Sequence, residues 1–387
     1  MSKRHLNCGY VPLVDSAPLI IARELKFASD EGLELNLLRQ PSWAALRDLL
    51  ALGHLDAAHM LSPMPISMTL GLSGVTCRID APMVLSVNGD VFGVSSELAG
   101  RMRANGWSGA FQEPLGTAAH LMAAAKGPLR VGVPFPFSMH RLLFEYWFAG
   151  IDTGVPEFEI ITTPPPLMAD KVGQGELDMF VVGEPWGSVA VDRGAGELIL
   201  PGRAIWAVSP EKVLGLRHDW VEEHSDATGR LMRAIYRAAD WLDTPDNQPL
   251  ACEILSRSEH LDLPHEAIDR ALSGNIVTRP GAPAQSVPGF LKFQRGAATF
   301  PWRSQAAWIS AQIARVHGLD PQETIAKGQS VFRPDLYRQH LGGAGVDLPG
   351  ASAKVEGAMR NRTAVASRHG HMILAADAFF DGQIFDF

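Results

Sequence analysis

The sequence has few cysteines, little excess charge and no long apolar run, and each shortage excludes a class of protein. Cys8, Cys77 and Cys252 are odd in number and far apart, so they fit neither a disulfide framework nor a metal-binding spacing. We expect them to be buried free thiols in a reducing compartment. The net charge of −8 gives no basic surface of the kind that binds nucleic acid or anionic lipid.

Apolar segments of membrane or export length are also missing. No stretch approaches the roughly 20 apolar residues of a membrane span. The apolar run over 17–22 is too short for a signal peptide, and Arg23 closes it. The sequence therefore predicts a cytoplasmic protein.

Motifs of catalysis are absent from the sequence as well. It contains no GxSxG, HExxH, Walker A or paired-cysteine motif. We therefore expect a binding protein rather than an enzyme, with no cofactor and no metal.

Three stretches share a pattern that favours ligand binding. Each is an apolar run typical of a buried strand, broken off by Pro, Gly, His or Trp; the stretches are 6–22, 55–65 and 177–187. In open α/β sheets, ligands lie in the crevice outside the carboxyl ends of the strands. Each break is therefore a candidate ligand loop.

Strand and helix patterns alternate through the first half of the chain, which predicts parallel sheets covered by helices. At 387 residues, the chain is long enough for two domains. The pattern restarts after Asn88, so we predict a first lobe over 1–88 and an inserted second lobe over 89–201. The first lobe resumes over 202–340 with a helical region.

The second half of the chain is mainly helical in pattern. The sequence predicts a long helix over 227–243 and a shorter one over 287–297. A Gly-, Ala- and Pro-rich stretch over 341–357 is typical of a linker. The apolar and aromatic tail over 375–387 is expected to dock on the protein, so 341–387 is predicted to be a linker and docking tail.

Several motifs in a fixed order carry a resemblance to a known family. They are GYVPLVDSAPLIIA, QPSW, DAAHMLSPMP, VVGEPW and SPEKVLGLRHDW, followed by the tail FFDGQIFD. In this order they resemble the nitrate- and bicarbonate-binding proteins of cyanobacterial ABC transporters. The resemblance covers almost the whole chain and implies the periplasmic-binding-protein type II fold, an α/β fold with two lobes and a ligand crevice.

Two functions follow from this resemblance, and a third is weaker. Without a signal peptide, the chain is most similar to the cytoplasmic nitrate/nitrite sensor branch (NasS), whose partner is a NasT-like RNA-binding antiterminator. Release of that partner on ligand binding would regulate nitrate assimilation. The alternative is the substrate-binding subunit of a nitrate or bicarbonate ABC transporter. An enzyme related to thiamin-pyrimidine synthesis shares the fold, but it would need a catalytic group that the motifs lack.

The resemblance implies ligand contacts from Trp43, His140, Gly183 and Lys212. Trp43 follows a strand-to-helix junction, and its indole N–H can donate to a planar anion. His140 opens a helix that Ser138 can cap. For these two, a core tryptophan and an ordinary histidine are the alternatives.

Gly183 and Lys212 complete the implied contacts. Gly183 ends a strand, where only glycine lets the main chain approach a ligand closely, although it also fits a plain turn. Lys212 supplies one positive charge with three donors. The bicarbonate-binding branch has an acidic residue there, so Lys212 favours nitrate or nitrite; a solvated surface lysine is the alternative.

One position departs from the family pattern. Asp90 stands where the family has an amide that donates to nitrate, and an ionised carboxylate cannot donate. Either Asn88 takes this role, or Asp90 turns away, or the affinity is altered. Two neighbours of the motifs are expected to be structural, Glu184 as a cap or ion-pair residue and His59 as a hydrogen-bonded core histidine.

Overall fold

The structure is a computed structural model, and it describes residues 3–151 and 157–387. The strands are β1 (Arg4–Tyr10), β2 (Leu33–Arg39), β3 (Ala57–Leu61), β4 (Ile79–Asn88), β5 (Asp90–Ser95), β6 (Leu129–Val133), β7 (Phe158–Thr162), β8 (Met179–Gly183), β9 (Gly196–Pro201), β10 (Pro210–Arg217), β11 (Asn275–Ile276), β12 (Gln285–Ser286), β13 (Leu291–Lys292), β14 (Thr363–Ser367) and β15 (Gly370–Leu374).

Helices follow most of the strands in the first two thirds of the chain and dominate the remainder. They are α1 (Ala17–Glu24), α2 (Phe27–Asp30), α3 (Trp43–Ala51), α4 (Pro63–Thr69), α5 (Ser96–Ala104), α6 (Pro114–Ala124), α7 (Met139–Ala149), α8 (Met168–Gly173), α9 (Trp186–Asp192), α10 (His218–Glu223), α11 (Ser225–Leu242), α12 (Gln248–Ser256), α13 (His265–Ser273), α14 (Arg303–His317), α15 (Pro321–Gly328) and α16 (Pro334–Leu341).

The first sheet has six strands in the order β13-β4-β10-β3-β1-β2. Its β1 is parallel to β2 and β3, whereas β10 is antiparallel to both of its neighbours. As a result, β1 to β4 all end at the edge where β10 begins. The predicted parallel sheet is therefore mixed, because β10 enters it from the opposite direction.

The second sheet has five strands in the order β7-β6-β8-β5-β9. Here β6 is parallel to β7 and β8, and β5 is antiparallel to β8 and β9. The chain leaves the first sheet at the end of β4 and enters the second sheet at β5 after one residue, Gly89. It returns between β9 and β10. This gives the α/β fold with two sheets; the predicted division into 1–88, 89–201, 202–340 and 341–387 stays a prediction.

Two sequence predictions fail in detail. The helix expected over 287–297 is absent, and the segment holds the short strand β13. The Asp243 carboxylate accepts hydrogen bonds from the backbone N–H groups of Phe293, Gln294 and Arg295, which a helix would need internally. In addition, Cys77 is only half-buried, although all three cysteines are free.

The C-terminal tail packs against the helical region. Phe379 is buried and stacks on Trp206 with ring centroids 5.0 Å apart and on Trp308 at 5.7 Å. The backbone N–H of Phe380 donates to Ile205 O near the return crossing. Among the described residues, no helix has the length and apolar character needed to cross a membrane.

Candidate functional site

The two sheets present their strand ends to each other, and the candidate site lies where those ends meet. The first sheet contributes the ends of β1 and β3 and the start of β10, and the second contributes the end of β8 and the start of β5. The carboxyl ends of strands are the usual ligand edge of an α/β sheet. The side chains below come from these edges.

Lys212 lies at the centre of the site and is fully buried. Its Nζ is 2.6 Å from Asp15 Oδ2 and 2.9 Å from Glu211 Oε1. Burial alone would lower the pKa of Lys212, but the two carboxylates raise it above its usual value. The ammonium therefore keeps its charge, and two of its three N–H donors have partners.

An irregularity in β10 allows Glu211 and Lys212 to touch. Consecutive residues of a regular strand point to opposite faces. Here the pairing of β10 with β4 shifts on both sides of Lys212, which pairs with Ser86. Such a bulge re-aims side chains, so both residues reach the same cluster.

Asp15 connects Lys212 to a histidine of β3. His59 Nε2 is 2.9 Å from Asp15 Oδ1, and both side chains are buried. Burial tends to raise the pKa of Asp15, but Lys212 and His59 lower it to about 2. Burial lowers the pKa of His59, with Asp15 acting against it. The expected core histidine is thus hydrogen-bonded, and it belongs to the charged cluster.

Trp43 covers one side of this group. It is the first residue of α3, where the Ser42 hydroxyl caps the helix by accepting from Ala45 N at 3.2 Å. Its ring lies 5.6 Å from Lys212 Nζ and 5.6 Å from the His59 ring. Among the described residues, its buried indole N–H has no hydrogen-bond partner.

His140 approaches from the other lobe. It lies in the first turn of α7, which Ser138 caps by accepting from Arg141 N. Its Nδ1 is 3.2 Å from Glu211 Oε1, but the two are not aligned for a hydrogen bond, and neither ring nitrogen has a partner in the described part of the chain. Burial and the charge of Lys212 hold the pKa of His140 well below its usual value, so the ring is neutral.

Gly183 leaves room for the cluster at the end of β8. A Cβ at this position would lie 2.6 Å from Leu13 Cδ2 and 3.6 Å from His140 Nε2. Any side chain would therefore press on Leu13 and extend toward His140 and Asp15. Next to it, Glu184 accepts from Ser188 N in the first turn of α9, and burial raises its pKa to about 7. Glu184 thus caps a helix, as the sequence indicated.

Asn88 and Asp90 flank Gly89, where the chain crosses from the first sheet to the second, and they differ in their contacts. The Asn88 amide donates to Ala207 O and Gly289 O and accepts from Ser209 N. These bonds fix the crossing, and they use the donors that a ligand would need. The structure therefore places Asn88 in a structural role at the crossing.

Asp90 faces Gly202, in the segment where the chain returns from the second sheet to the first. A Cβ on Gly202 would lie 2.2 Å from Asp90 Oδ1, so the carboxyl group packs directly on that glycine. Both carboxyl oxygens are buried without a partner among the described residues. Burial raises the pKa of Asp90 to about 6, against the lowering influence of Lys212. Asp90 is paired with Gly183 in the ladder, and its carboxyl group contacts Gly202.

A cleft of about 640 Å³ lies beside the cluster and is lined by both lobes. Gln40 and Ser42 line it from the first lobe, and Pro164 and Trp186 from the second. Two bonds hold the lobes together there: Trp186 Nε1 donates to Pro12 O at 2.9 Å, and Val14 N donates to Glu184 O at 3.0 Å. Ser42, which lines the cleft, directly precedes the buried Trp43 in the chain.

The cluster has the chemistry of a small-oxyanion site. Within residues 3–151 and 157–387, it offers one ammonium with a donor to spare, an indole N–H without a partner and a neutral imidazole without a partner, all from buried side chains. Buried donors without partners are costly, and a ligand with several acceptor oxygens would satisfy them. A flat aromatic face beside the ammonium suits a planar anion.

Four of the residues suggested by the sequence, Trp43, His140, Gly183 and Lys212, come together, and two functional residues were missed. Asp15 was inside a stretch recognised as a ligand loop, so its place after an apolar strand was an available signal. Glu211 was not detectable, because the alternation of a strand puts it on the face opposite Lys212.

Comparison with known proteins agrees with this architecture. A family model described as the NMT1-like family matches residues 1–256. The nitrate/nitrite binding protein NrtA of Nostoc sp. is 30% identical over 392 residues, which are 98% of this chain and 82% of NrtA. The crystal structure of the periplasmic nitrate-binding protein NrtA from Synechocystis superposes with a TM-score of 0.84 at 28% identity, covering 99% of this chain and 96% of that one.

A further relative is part of a larger protein. The nitrate import ATP-binding protein NrtC of Synechocystis sp. is 32% identical over 354 residues, 88% of this chain, but the chain spans only 51% of its length. The prediction of a cytoplasmic protein finds no support in these relatives, since the superposed NrtA is periplasmic. The resemblance to nitrate- and bicarbonate-binding proteins is confirmed, and the chain belongs to the NMT1-like family as a relative of NrtA.

Proposed function

We propose that the chain is the nitrate- or nitrite-binding component of an ABC-type uptake system. The observation that carries this proposal is the buried Lys212 ammonium, surrounded by donors from both lobes that have no partner among the described residues. The names of the relatives, nitrate/nitrite binding and nitrate import, agree with it. Trp43, His140, Gly183 and Lys212 are the proposed ligand contacts.

Nitrate and nitrite fit the donor set better than bicarbonate does. Both are planar or bent monovalent oxyanions that only accept hydrogen bonds, and Lys212, Trp43 and His140 provide donors. Bicarbonate also carries a hydroxyl group that needs an acceptor. The acidic residue that the bicarbonate-binding branch has at the position of Lys212 would serve that purpose.

Thermal unfolding with added ligand tests this proposal. A ligand that binds only the folded state adds about 2.7 kcal/mol to the free energy of unfolding at a hundredfold excess over its dissociation constant. Nitrate or nitrite should therefore raise the melting temperature more than bicarbonate or chloride. A larger shift with bicarbonate would contradict the assignment of the ligand.

The competing function is the nitrate/nitrite sensor, which uses the same ligand site and a different partner. In that case the ligand-free chain should form a complex with a NasT-like antiterminator, and nitrate should dissociate it. By linkage, the antiterminator would weaken nitrate binding by the same factor. Size-exclusion chromatography with and without nitrate distinguishes the two: a nitrate-sensitive complex favours the sensor, and no complex in either state favours the uptake component.

A further inference from the structure

Glu211 is the most unusual group in the proposed ligand site. It is fully buried, and its Oε1 lies 2.9 Å from Lys212 Nζ and 3.2 Å from His140 Nδ1. Its Oε2 is buried and has no hydrogen-bond partner within the described residues. A carboxyl oxygen beside the only ammonium of the cluster is a poor neighbour for an anion if it is ionised.

Carboxylates other than Glu211 already match the positive charge of Lys212, and above about pH 6 Asp90 adds a further negative charge nearby. Asp15 lies 2.6 Å from Lys212 Nζ, and its pKa of about 2 keeps it ionised. His59 and His140 add no positive charge, because burial lowers the pKa of both rings. The ammonium is therefore neutralised before any ligand arrives.

A bound oxyanion would add a further negative charge to this buried group. With Glu211 ionised, the ligand would face like charge at close range in a low-dielectric interior, which costs several kcal/mol. With a proton on Glu211, the repulsion disappears. The free Oε2 can then carry an O–H that donates to the ligand.

We infer that Glu211 is a ligand-binding residue that carries a proton in the bound state, so that one proton enters the site with the oxyanion wherever the ligand-free Glu211 is ionised. This inference rests on the proposed function. The surroundings of Glu211 support it, because burial and the nearby Asp90 raise its pKa to about 8 despite the opposing effect of Lys212. In the ligand-free chain the group therefore keeps its proton at pH 7 and loses it above about pH 8.

The inference also predicts how selectivity changes with pH. Nitrate has no proton to offer, so its binding requires one from solvent once Glu211 is ionised. Bicarbonate can donate its own hydroxyl to an ionised carboxylate. Selectivity for nitrate over bicarbonate should therefore be greatest below about pH 8 and decline above it.

The test is a series of calorimetric titrations of the full chain with nitrate from about pH 6 to about pH 9. With linked uptake of one proton, the association constant should fall above about pH 8 and approach a tenfold loss per pH unit. The other facing groups do not produce this fall: Lys212 titrates above its usual value of 10.5, and both histidines titrate below 6.5.

Two variants test whether the linked proton binds to Glu211. Glu211→Gln imitates the neutral acid, so it should bind nitrate within a few-fold of the parent at about pH 6 and lose the fall above pH 8. Asp90→Asn removes the other carboxyl group with a raised pKa, about 6, and should keep the fall. Equal pH slopes in the parent and Glu211→Gln, or a slope lost only in Asp90→Asn, would overturn the assignment to Glu211.

Titration of the parent alone already decides whether proton uptake is linked to nitrate binding. If it binds nitrate at about pH 6 and its affinity does not change up to about pH 9, proton uptake is refuted while the proposed function stands. If it binds neither nitrate nor nitrite at any pH, the proposed function fails and the inference fails with it.

Discussion

Two lysines, the fully buried Lys212 and the partly buried Lys354, have nearly the same neighbours and different hydrogen-bonding states. Each lies between two carboxylates and about 6 Å from a tryptophan ring, Trp43 for Lys212 and Trp302 for Lys354. In each case the carboxylates raise the pKa of the lysine against the effect of burial. Composition alone would not separate the two clusters.

The Lys354 cluster (Lys354, Glu356, Asp377 and Ser304) is closed on itself. The ammonium bonds both carboxylates, the Ser304 hydroxyl donates to Glu356 Oε1 at 2.6 Å, and Met359 N donates to Asp377 Oδ1 at 2.9 Å. In the part of the chain that the structure describes, none of its polar side-chain atoms is buried without a partner. It therefore ties the C-terminal segment to α14.

The Lys212 cluster (Asp15, Trp43, His59, His140, Glu211 and Lys212) is incomplete by comparison. It keeps buried and unpaired polar atoms on Trp43, His59, His140 and Glu211. Because unmade buried hydrogen bonds are costly, such a set is expected where a ligand completes it. Among the described residues, the two clusters thus differ in whether their donors and acceptors are satisfied, and this difference supports the proposed ligand site at Lys212.

The largest effect expected from this comparison is loss of binding in Lys212→Met. Removing one partner of a buried charge pair costs on the order of 3–5 kcal/mol, which corresponds to a loss in affinity of more than a hundredfold. Nitrate affinity is measured by calorimetric titration, with far-ultraviolet circular dichroism to check folding. A folded Lys212→Met protein that binds nitrate like the parent would remove the distinction between the clusters.

Lys354→Met is the matched control and should lower stability without affecting nitrate binding. It leaves Glu356 and Asp377 buried without their cation, which should lower the free energy of unfolding by about 3–5 kcal/mol. Denaturant unfolding measures this loss, and nitrate affinity should stay within a few-fold of the parent. Loss of binding with intact stability would reverse the roles of the two lysines.

Replacing the two tryptophans tests the same comparison through a smaller expected loss of affinity. Trp43→Phe keeps an aromatic face and removes the unpaired N–H, so it should weaken nitrate binding about tenfold, the effect of one hydrogen bond to a charged group. Trp302→Phe should leave the affinity unchanged. Titration of both variants checks this, and equal losses would show that the effect is general destabilisation.

The smallest effect concerns ligand-free stability and pH. The folded chain raises the pKa of Glu211 from 4.5 to about 8, so it binds this proton more tightly than the unfolded chain does. The resulting stability is present below the unfolded pKa and is lost as pH rises toward the folded one. Between pH 4.5 and about pH 8, the melting temperature of Glu211→Gln should therefore fall less than that of the parent, by a few degrees. Identical pH profiles would argue that Glu211 is not neutral near pH 7.

Much of the fold followed from local pattern. The buried strands expected within 55–65 and 177–187 are β3 and β8, and the long helix expected over 227–243 is α11 with ends shifted by one or two residues. Such elements are set by their own periodicity. The segment 287–297 failed because Asp243, distant in sequence, binds three of its backbone N–H groups.

The candidate site was partly predictable for a similar reason. Trp43, His140 and Lys212 stand in motifs at strand ends, where the resemblance and the topology point to the same edge. Glu211 depends on a bulge in β10 whose position follows from pairing with β4. That pairing joins segments about 130 residues apart in sequence, and local periodicity cannot predict it.

Calorimetric titration of the parent with nitrate, nitrite and bicarbonate at about pH 7 is the most direct test of the claim that the Lys212 cluster binds a small oxyanion. We expect saturable binding of nitrate or nitrite at one site per chain, with bicarbonate bound much more weakly. Tighter binding of bicarbonate, or no binding of the nitrogen oxyanions, would contradict it.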